Sequence, residues 1–305
     1  MRRVVAIANG KGGVGKTTLT AGLAGQVAAA GSRVLVVDTD PQGNLGRDLG
    51  YELQDGSALS LAITHGLPLQ VTRNVRDRLD VVPGGPALWD VSPAFTSRGA
   101  RGASLPGLRK AIDQIQPETG IDDYDLVLID TPPGEPILQE LVFAASDYLI
   151  IPTRSDEASL DGLVVVAQRF AAARAVNSRL TLLGVVLFGV RAGSTRLLSR
   201  VQSALDDTLG GAAPVLNTSI RYLESAAVDM RSRGLLPYEL EQVHSKDKSE
   251  RLDRLRRGDK ADNGQSLLSR NTSTAKLAGD YADLADEILA AMGRRESGVG
   301  VAVAV

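Results

Sequence analysis

The sequence predicts an α/β fold, a mostly parallel sheet flanked by helices on both faces. Three observations lead there. Short apolar, β-branched runs alternate with segments of helical period. Several runs, VLVVD and DLVLID among them, are apolar almost without a break, as strands covered on both faces are. A glycine-rich turn, NGKGGVGKTT at residues 9–18, joins the first run to the first helical segment.

In chain order the expected strands are Val4–Ala8, Val34–Val37, Leu79–Val82, Leu126–Ile129, Tyr148–Ile151 and Leu182–Leu187. Helical patterns lie between them, near 16–30, 104–115, 136–145, 157–175 and 195–208. Residues 243–273 break the alternation, being polar and dense in charge. An amphipathic helix then resumes at 274–292, with Leu277, Tyr281, Leu284, Ile288 and Leu289 on one face. This reads as one domain, 1–293, with a charged insert at about 243–273 and a disordered tail at 294–305. No repeat of fixed period is visible.

Composition excludes several chemistries. The 305 residues include no cysteine, so disulfides, thiolate metal sites, iron–sulfur clusters and cysteine nucleophiles are ruled out. The two histidines, His65 and His244, lack the close spacing of zinc ligands. Net charge is −2, so any contact with nucleic acid must come from a local basic patch. The longest apolar stretches are strand-length, whereas spanning a membrane takes about 20 residues. Arg2–Arg3 and the apolar run after them stop at Asn9, short of a signal peptide. The expected location is the cytoplasm.

Residues Gly10, Lys11, Gly12, Gly13, Val14, Gly15, Lys16 and Thr17 fit G-x-x-x-x-G-K-[ST], after an expected strand and before an expected helix. The glycines let the backbone curl until its N–H groups face a phosphate chain, and the helix N-terminus favours anions. Lys16 should reach the β- and γ-phosphates of ATP, and Thr17 should place its hydroxyl on Mg²⁺. Thr18 completes the nucleotide-binding run. A metal–nucleotide site also needs a carboxylate at the end of a buried strand, and Asp130 of YDLVLIDTPP supplies one. VVDTDPQGN at 36–44 ends another strand with Asp38 and Asp40 two apart, on the same side of an extended chain. DPQG also makes an ordinary turn.

KGGVGKTT, DTDPQGN and DTPP, in that order, resemble the ParA/MinD group of deviant Walker A P-loop ATPases, and the ParA branch most closely. PTRSDEASLDGL (152–163), IRYLESAAVDMRSRGLLPYEL (220–240) and the final LADEIL are also similar to family segments. The resemblance implies a role for the second lysine. Lys11 matches the signature lysine that crosses a dimer interface to the partner's ATP, where it would act like an arginine finger. Such fingers raise rates by roughly 10³–10⁵. Asp40 matches the carboxylate that positions the attacking water, with Asp38 supporting the metal or the loop. The stretch FGVR at 188–191 departs from the polar sequence expected near adenine.

The resemblance further implies an ATP-bound homodimer that binds nonspecific duplex DNA, with hydrolysis stimulated by a ParB-like centromere-binding protein. Nucleoid association would follow. Candidate DNA contacts are Arg191, Arg221, Arg231 and Arg233, with Arg196, Arg200 and the insert as further basic sources. From 246 to 260 the insert holds seven Lys/Arg against four Asp/Glu. A MinD-like membrane reading would need bulky apolar residues after Met292, and GRRESGVGVAVAV has none. No membrane partner is expected. Redox relatives on this fold need cysteines, and dethiobiotin-synthetase-like ligases lack the signature lysine. No helix-turn-helix precedes the first strand, so operator reading by this chain is not expected.

Overall fold

The computed structural model describes residues 3–99, 107–115, 123–154, 156–190, 199–201, 215–243 and 274–297, with 203, 207, 245, 246 and 249. The strands are β1 (Arg3–Ile7), β2 (Val34–Asp38), β3 (Thr72–Arg76), β4 (Leu79–Val82), β5 (Leu126–Asp130), β6 (Tyr148–Thr153), β7 (Thr181–Val190) and β8 (Ile220–Arg221). They form one sheet in the order β3-β4-β2-β5-β1-β6-β7-β8. Every neighbouring pair is parallel except β3 with β4.

The central strands alternate their side chains between two cores, as the period of a strand requires. Val5, Ile7, Val34, Val36, Leu126 and Leu128 face one side, with helices α1 (Lys16–Ala29), α2 (Leu45–Leu49) and α9 (Thr274–Glu296). Val4, Ala6, Leu35, Val37, Val127 and Ile129 face the other. There α3 (Ser57–His65), α4 (Val91–Gly99), α5 (Leu108–Asp113), α6 (Pro136–Ala145) and α7 (Glu157–Ala173) cover them. The remaining labelled helix, α8 (Glu224–Arg233), follows β8. Helix α9 lies directly against α1: a Cβ added to Gly22 would sit 2.3 Å from the Tyr281 ring. The last turn of α9 runs to Glu296, whose carboxylate takes two 2.7 Å bonds from the Arg3 guanidinium.

The expected central strands form within a residue or so of their predicted limits, and β7 extends further, to Val190. The edge differs. Strand β3 reads TRNVR, without an apolar alternation to signal it. Its side chains are held by charge instead. Arg73 donates to Asp80 at 3.0 Å and the backbone N–H of Asn74 donates to the same carboxylate at 2.7 Å. Arg33 and the Tyr124 hydroxyl complete the shell around buried Asp80, at 3.0 and 2.6 Å. Short α2, α3 and α4 also carry too few turns for a clear period. The helix expected at 104–115 is observed over Leu108–Asp113. The expected helix at 195–208 falls mostly outside the described residues, as do 250–273 of the insert and 298–305 of the tail.

Candidate nucleotide site

Parallel pairing brings three sequence-distant segments to the same end of the central strands. Ile7 registers with Asp130 in β5, and Asp130 registers with Asp38 in β2. The carboxyl-terminal ends of β1, β2 and β5 are therefore adjacent, in the place where open α/β sheets bind ligands. The glycine-rich turn leaves β1 and enters α1 there.

The turn is anchored at both ends. Buried Asn9 donates to the Pro152 carbonyl at 2.7 Å, and its Oδ1 accepts the Lys11 N–H at 2.9 Å. Gly10 N–H donates to Gly162 O of α7 at 3.4 Å. Gly15 has φ +93°, and an added Cβ would lie 2.2 Å from the Phe188 ring. Only glycine meets both demands at that position. Phe188 is the aromatic of the FGVR stretch, so this part of β7 backs the turn from below.

The two lysines take different places. Lys16 is 5% exposed and its Nζ donates to the Lys11 carbonyl at 3.0 Å, across the mouth of the turn. Burial lowers the Lys16 pKa, and Asp130 and Asp40 oppose that shift. Lys11 points away instead. Its Nζ pairs with the Asp156 carboxylate and donates to Ser159 Oγ at 3.4 Å. Asp156 caps α7 by accepting the Ser159 N–H at 3.0 Å. Lys11 and the Ser159 bonds hold its carboxyl down at about 2.

Asp38 and Asp130 are fully buried. Each has an Oδ2 without a hydrogen-bond partner. Burial, more than any neighbour, raises both acids: Asp130 to about 7, with the charges of Asp40 and Asp48 adding to it, and Asp38 well above its usual range, with the charge of Asp130 adding to it. The Thr17 hydroxyl and Lys16 pull Asp130 partly back. Two orphaned buried carboxylate oxygens beside a P-loop threonine fit a divalent cation, since hard cations take oxygen ligands. Asp40 is 6% exposed; its Oδ1 accepts the Gln42 N–H at 2.9 Å, and Asp38 Oδ1 accepts the Asp40 N–H at 3.0 Å. Thr18 Oγ1 donates to buried Asp48 of α2 at 2.9 Å.

The turn at 10–18 and the strand-end acids Asp38 and Asp130, with Asp40 two residues on, thus lie at the carboxyl-terminal ends of adjacent strands. The basic candidates are elsewhere. Arg221 is held by Asp280 through two 2.6 Å bonds. Arg231 is 65% exposed and approaches Asp48 at 3.3 Å, and Arg233 is exposed. Arg191 lies outside the described residues. Sequence reading assigned no role to Asp156, Ser159, Gly162 or Asp48. The D-x-x-S spacing of Asp156 and Ser159 is a capping signal, but nothing in it indicates that the cap faces Lys11.

A strand, a phosphate-cradling turn and two strand-end aspartates define a P-loop nucleotide-binding protein. A family model described as an AAA domain matches residues 2–182, and one described as VirC1 protein matches 100–271. The chain is 35% identical over 204 residues to the chromosome-partitioning ATPase Soj of Thermus thermophilus, covering 67% of this chain and 75% of the relative. It is 34% identical over 186 residues to the chromosome partitioning protein ParA of Caulobacter vibrioides, covering 61% and 68%. Among solved structures, the septum site-determining protein MinD of Pyrococcus horikoshii, complexed with Mg-ADP, shares the fold: TM-score 0.63 and 21% identity, covering 94% and 96%. The chain belongs to the ParA/MinD family of P-loop ATPases.

Proposed function

We propose that the chain is a ParA-type partition ATPase whose ATP-bound homodimer binds nonspecific DNA and segregates plasmid or chromosomal DNA. The observation that carries this reading is the divergence of the two lysines. Lys16 lies inside its own cradle. Lys11, on the same turn, sits at the rim with its side chain 35% exposed, next to an exposed acid. A cation so placed is available to the nucleotide of a second protomer. The names of the Soj and ParA relatives support the partition role.

In this mechanism Lys16 and the N–H groups of the turn hold the β- and γ-phosphates. Thr17, Asp130 and Asp38 would hold Mg²⁺, which when bound neutralises charge on the phosphate oxygens. Asp40 orients a water in line with the γ-phosphorus through Oδ2, which has no hydrogen bond among the described residues; Oδ1 is fixed by Gln42. The water oxygen bonds to phosphorus, the bond to the β–γ bridging oxygen breaks, and the water proton passes to solvent by way of Asp40. The partner's copy of Lys11 stabilises charge on the transferring group. A ParB-like protein would stimulate this step.

Among the described residues no helix is long and apolar enough to cross a membrane. For DNA contact the α8 arginines, Arg231 and Arg233, are preferred to Arg221 on exposure: the Arg231 side chain is 65% exposed and that of Arg221 34%. The test pairs Lys16→Ala with Lys11→Ala. The first should lose binding of a fluorescent ATP analogue. The second should bind it and fail to release phosphate. Normal hydrolysis by the Lys11 variant would remove the trans role. DNA binding that was equal with ADP and ATP would remove the partition reading.

A further inference from the structure

The turn that follows β4 packs against the backbone of the Asp38–Asp40 loop. Val82, Pro83, Gly84 and Gly85 are all buried. A Cβ on Gly84 would lie 2.4 Å from the Asp38 carbonyl oxygen, 3.0 Å from Asp38 Cγ and 3.0 Å from the Asp40 carbonyl oxygen. These are backbone atoms and a buried carboxyl carbon, so no flexible side-chain end can swing aside. On its other side the turn meets the segment after α2. A Cβ on Gly85 would lie 2.4 Å from Gln54 O, and one on Gly56 would lie 2.6 Å from Gly85 N. The Ala87 N–H donates to Asp55 O at 2.8 Å and fixes that layer. The three layers, 38–40, 84–85 and 54–56, are stacked backbone on backbone.

We propose that Gly84 is a positioning residue for hydrolysis: the Pro83–Gly84–Gly85 turn is a brace that sets where Asp40 stands. The inference rests on the reading of Asp40 as the water-orienting group. The P-loop has its own anchors, at Asn9, Pro152 and Gly162, and none is in the brace. Displacing the brace should therefore shift the Asp38–Asp40 loop, Asp38 directly and Asp40 with it through the Asp40 N–H bond to Asp38 Oδ1, and leave the phosphate cradle in place. Relieving a 2.4 Å contact requires a shift on the order of 1 Å, and a misplacement of that size near a reacting group costs about 10²-fold in rate.

The experiment compares Gly84→Ala, Gly56→Ala and Gly31→Ala by phosphate release and by binding of a fluorescent ATP analogue, with Asp40→Ala in parallel. Gly56→Ala pushes the brace from outside. Gly31→Ala introduces an alanine at φ +102° with nothing within 4 Å, so it controls for backbone strain alone. At saturating Mg²⁺, Gly84→Ala should lower kcat about 100-fold with KM and nucleotide affinity within about twofold of the parent, and a kcat restored by excess Mg²⁺ overturns the brace in favour of a metal-holding effect through Asp38. Gly56→Ala should lower kcat by a smaller factor, and Gly31→Ala should leave it unchanged. If Gly84→Ala does not fold, Gly56→Ala decides by the same criterion. Parental kcat in the brace variants, beside an inactive Asp40→Ala, overturns the brace alone. Equal loss in Gly31→Ala, or lost nucleotide binding in Gly84→Ala, also overturns it. Full hydrolysis by Asp40→Ala overturns the reading of Asp40 and the brace with it.

Discussion

Replacing Asp130 with Asn should make the nucleotide-free protein more stable at alkaline pH while destroying its function. In the folded chain the Asp130 carboxyl titrates at about 7, chiefly because it is buried, against an ordinary 3.8. The sign follows from proton counting. Between pH 4 and 7 the unfolded chain has released this proton and the folded chain still holds it, so unfolding releases a proton and stability falls as pH rises. Above pH 7 the loss is complete. Three pH units at about 1.4 kcal/mol each make it about 4 kcal/mol. Asp38 is also raised by its burial and by the charge of Asp130, so the two titrations are coupled and the measured figure for one substitution should fall at about 2–4 kcal/mol. Asn cannot ionise, so the variant should not lose stability in this window. Urea unfolding in EDTA at pH 5, 6, 7 and 8 measures it. Between pH 5 and pH 8 the difference should move in favour of the variant by at most about 3 kcal/mol, since about two of the three units lie in that range. A difference that stays constant with pH would refute the reasoning. Saturating Mg-ATP should reverse the order at pH 8, because ligand binding stabilises only the chain that retains the site.

Asp156→Ala should free Lys11 and strengthen ATP-dependent dimerisation; light scattering on a dilution series would show it, and a weaker dimer would mean that Asp156 is itself part of the interface. Gly15→Ala should abolish nucleotide binding and lower the melting temperature, since it strains the backbone and drives a methyl group into Phe188; retained binding would contradict the packing described. Arg221→Ala should cost about 1–3 kcal/mol of stability by leaving Asp280 without its guanidinium, with DNA affinity close to the parent, whereas Arg233→Glu should weaken DNA binding on every sequence at unchanged ATP affinity; fluorescence anisotropy on a random duplex separates the two. If the dimer neutralises about six phosphates, log K should fall against log salt with a slope near −5, and a flat response would exclude a phosphate-dominated contact.

The centre of the sheet was legible because its strands are buried on both faces and therefore continuously apolar. Strand β3 was not, because its place at the edge is secured by Asp80 and two arginines, and a charge cluster leaves no period in the sequence. The P-loop and the two strand-end aspartates were legible for a related reason: glycine, lysine and carboxylate at fixed offsets from a strand are demanded by the geometry of a phosphate chain. What surrounds them was hidden. Lys11 meets Asp156 across 145 residues, and Thr18 meets Asp48 across 30. Contacts of that separation are made by the fold, and no local spacing announces them. Arg221 is held in the same way: its partner, Asp280, lies 59 residues later in α9.

The closeness of α1 and α9 has a consequence for how the protein is made. The Tyr281 ring fills the space left by Gly22, and its hydroxyl reaches Thr18 O at 3.4 Å from 263 residues further along the chain. At synthesis rates of about 5–20 residues per second, the P-loop helix is built roughly 13–53 s before the helix that backs it. During that interval the face of α1 at Gly22 lacks the Tyr281 ring that finally covers it, and the signature turn is attached to an unfinished support. A ribosome-bound chain therefore carries the whole nucleotide motif long before it can hold nucleotide as the completed protein does.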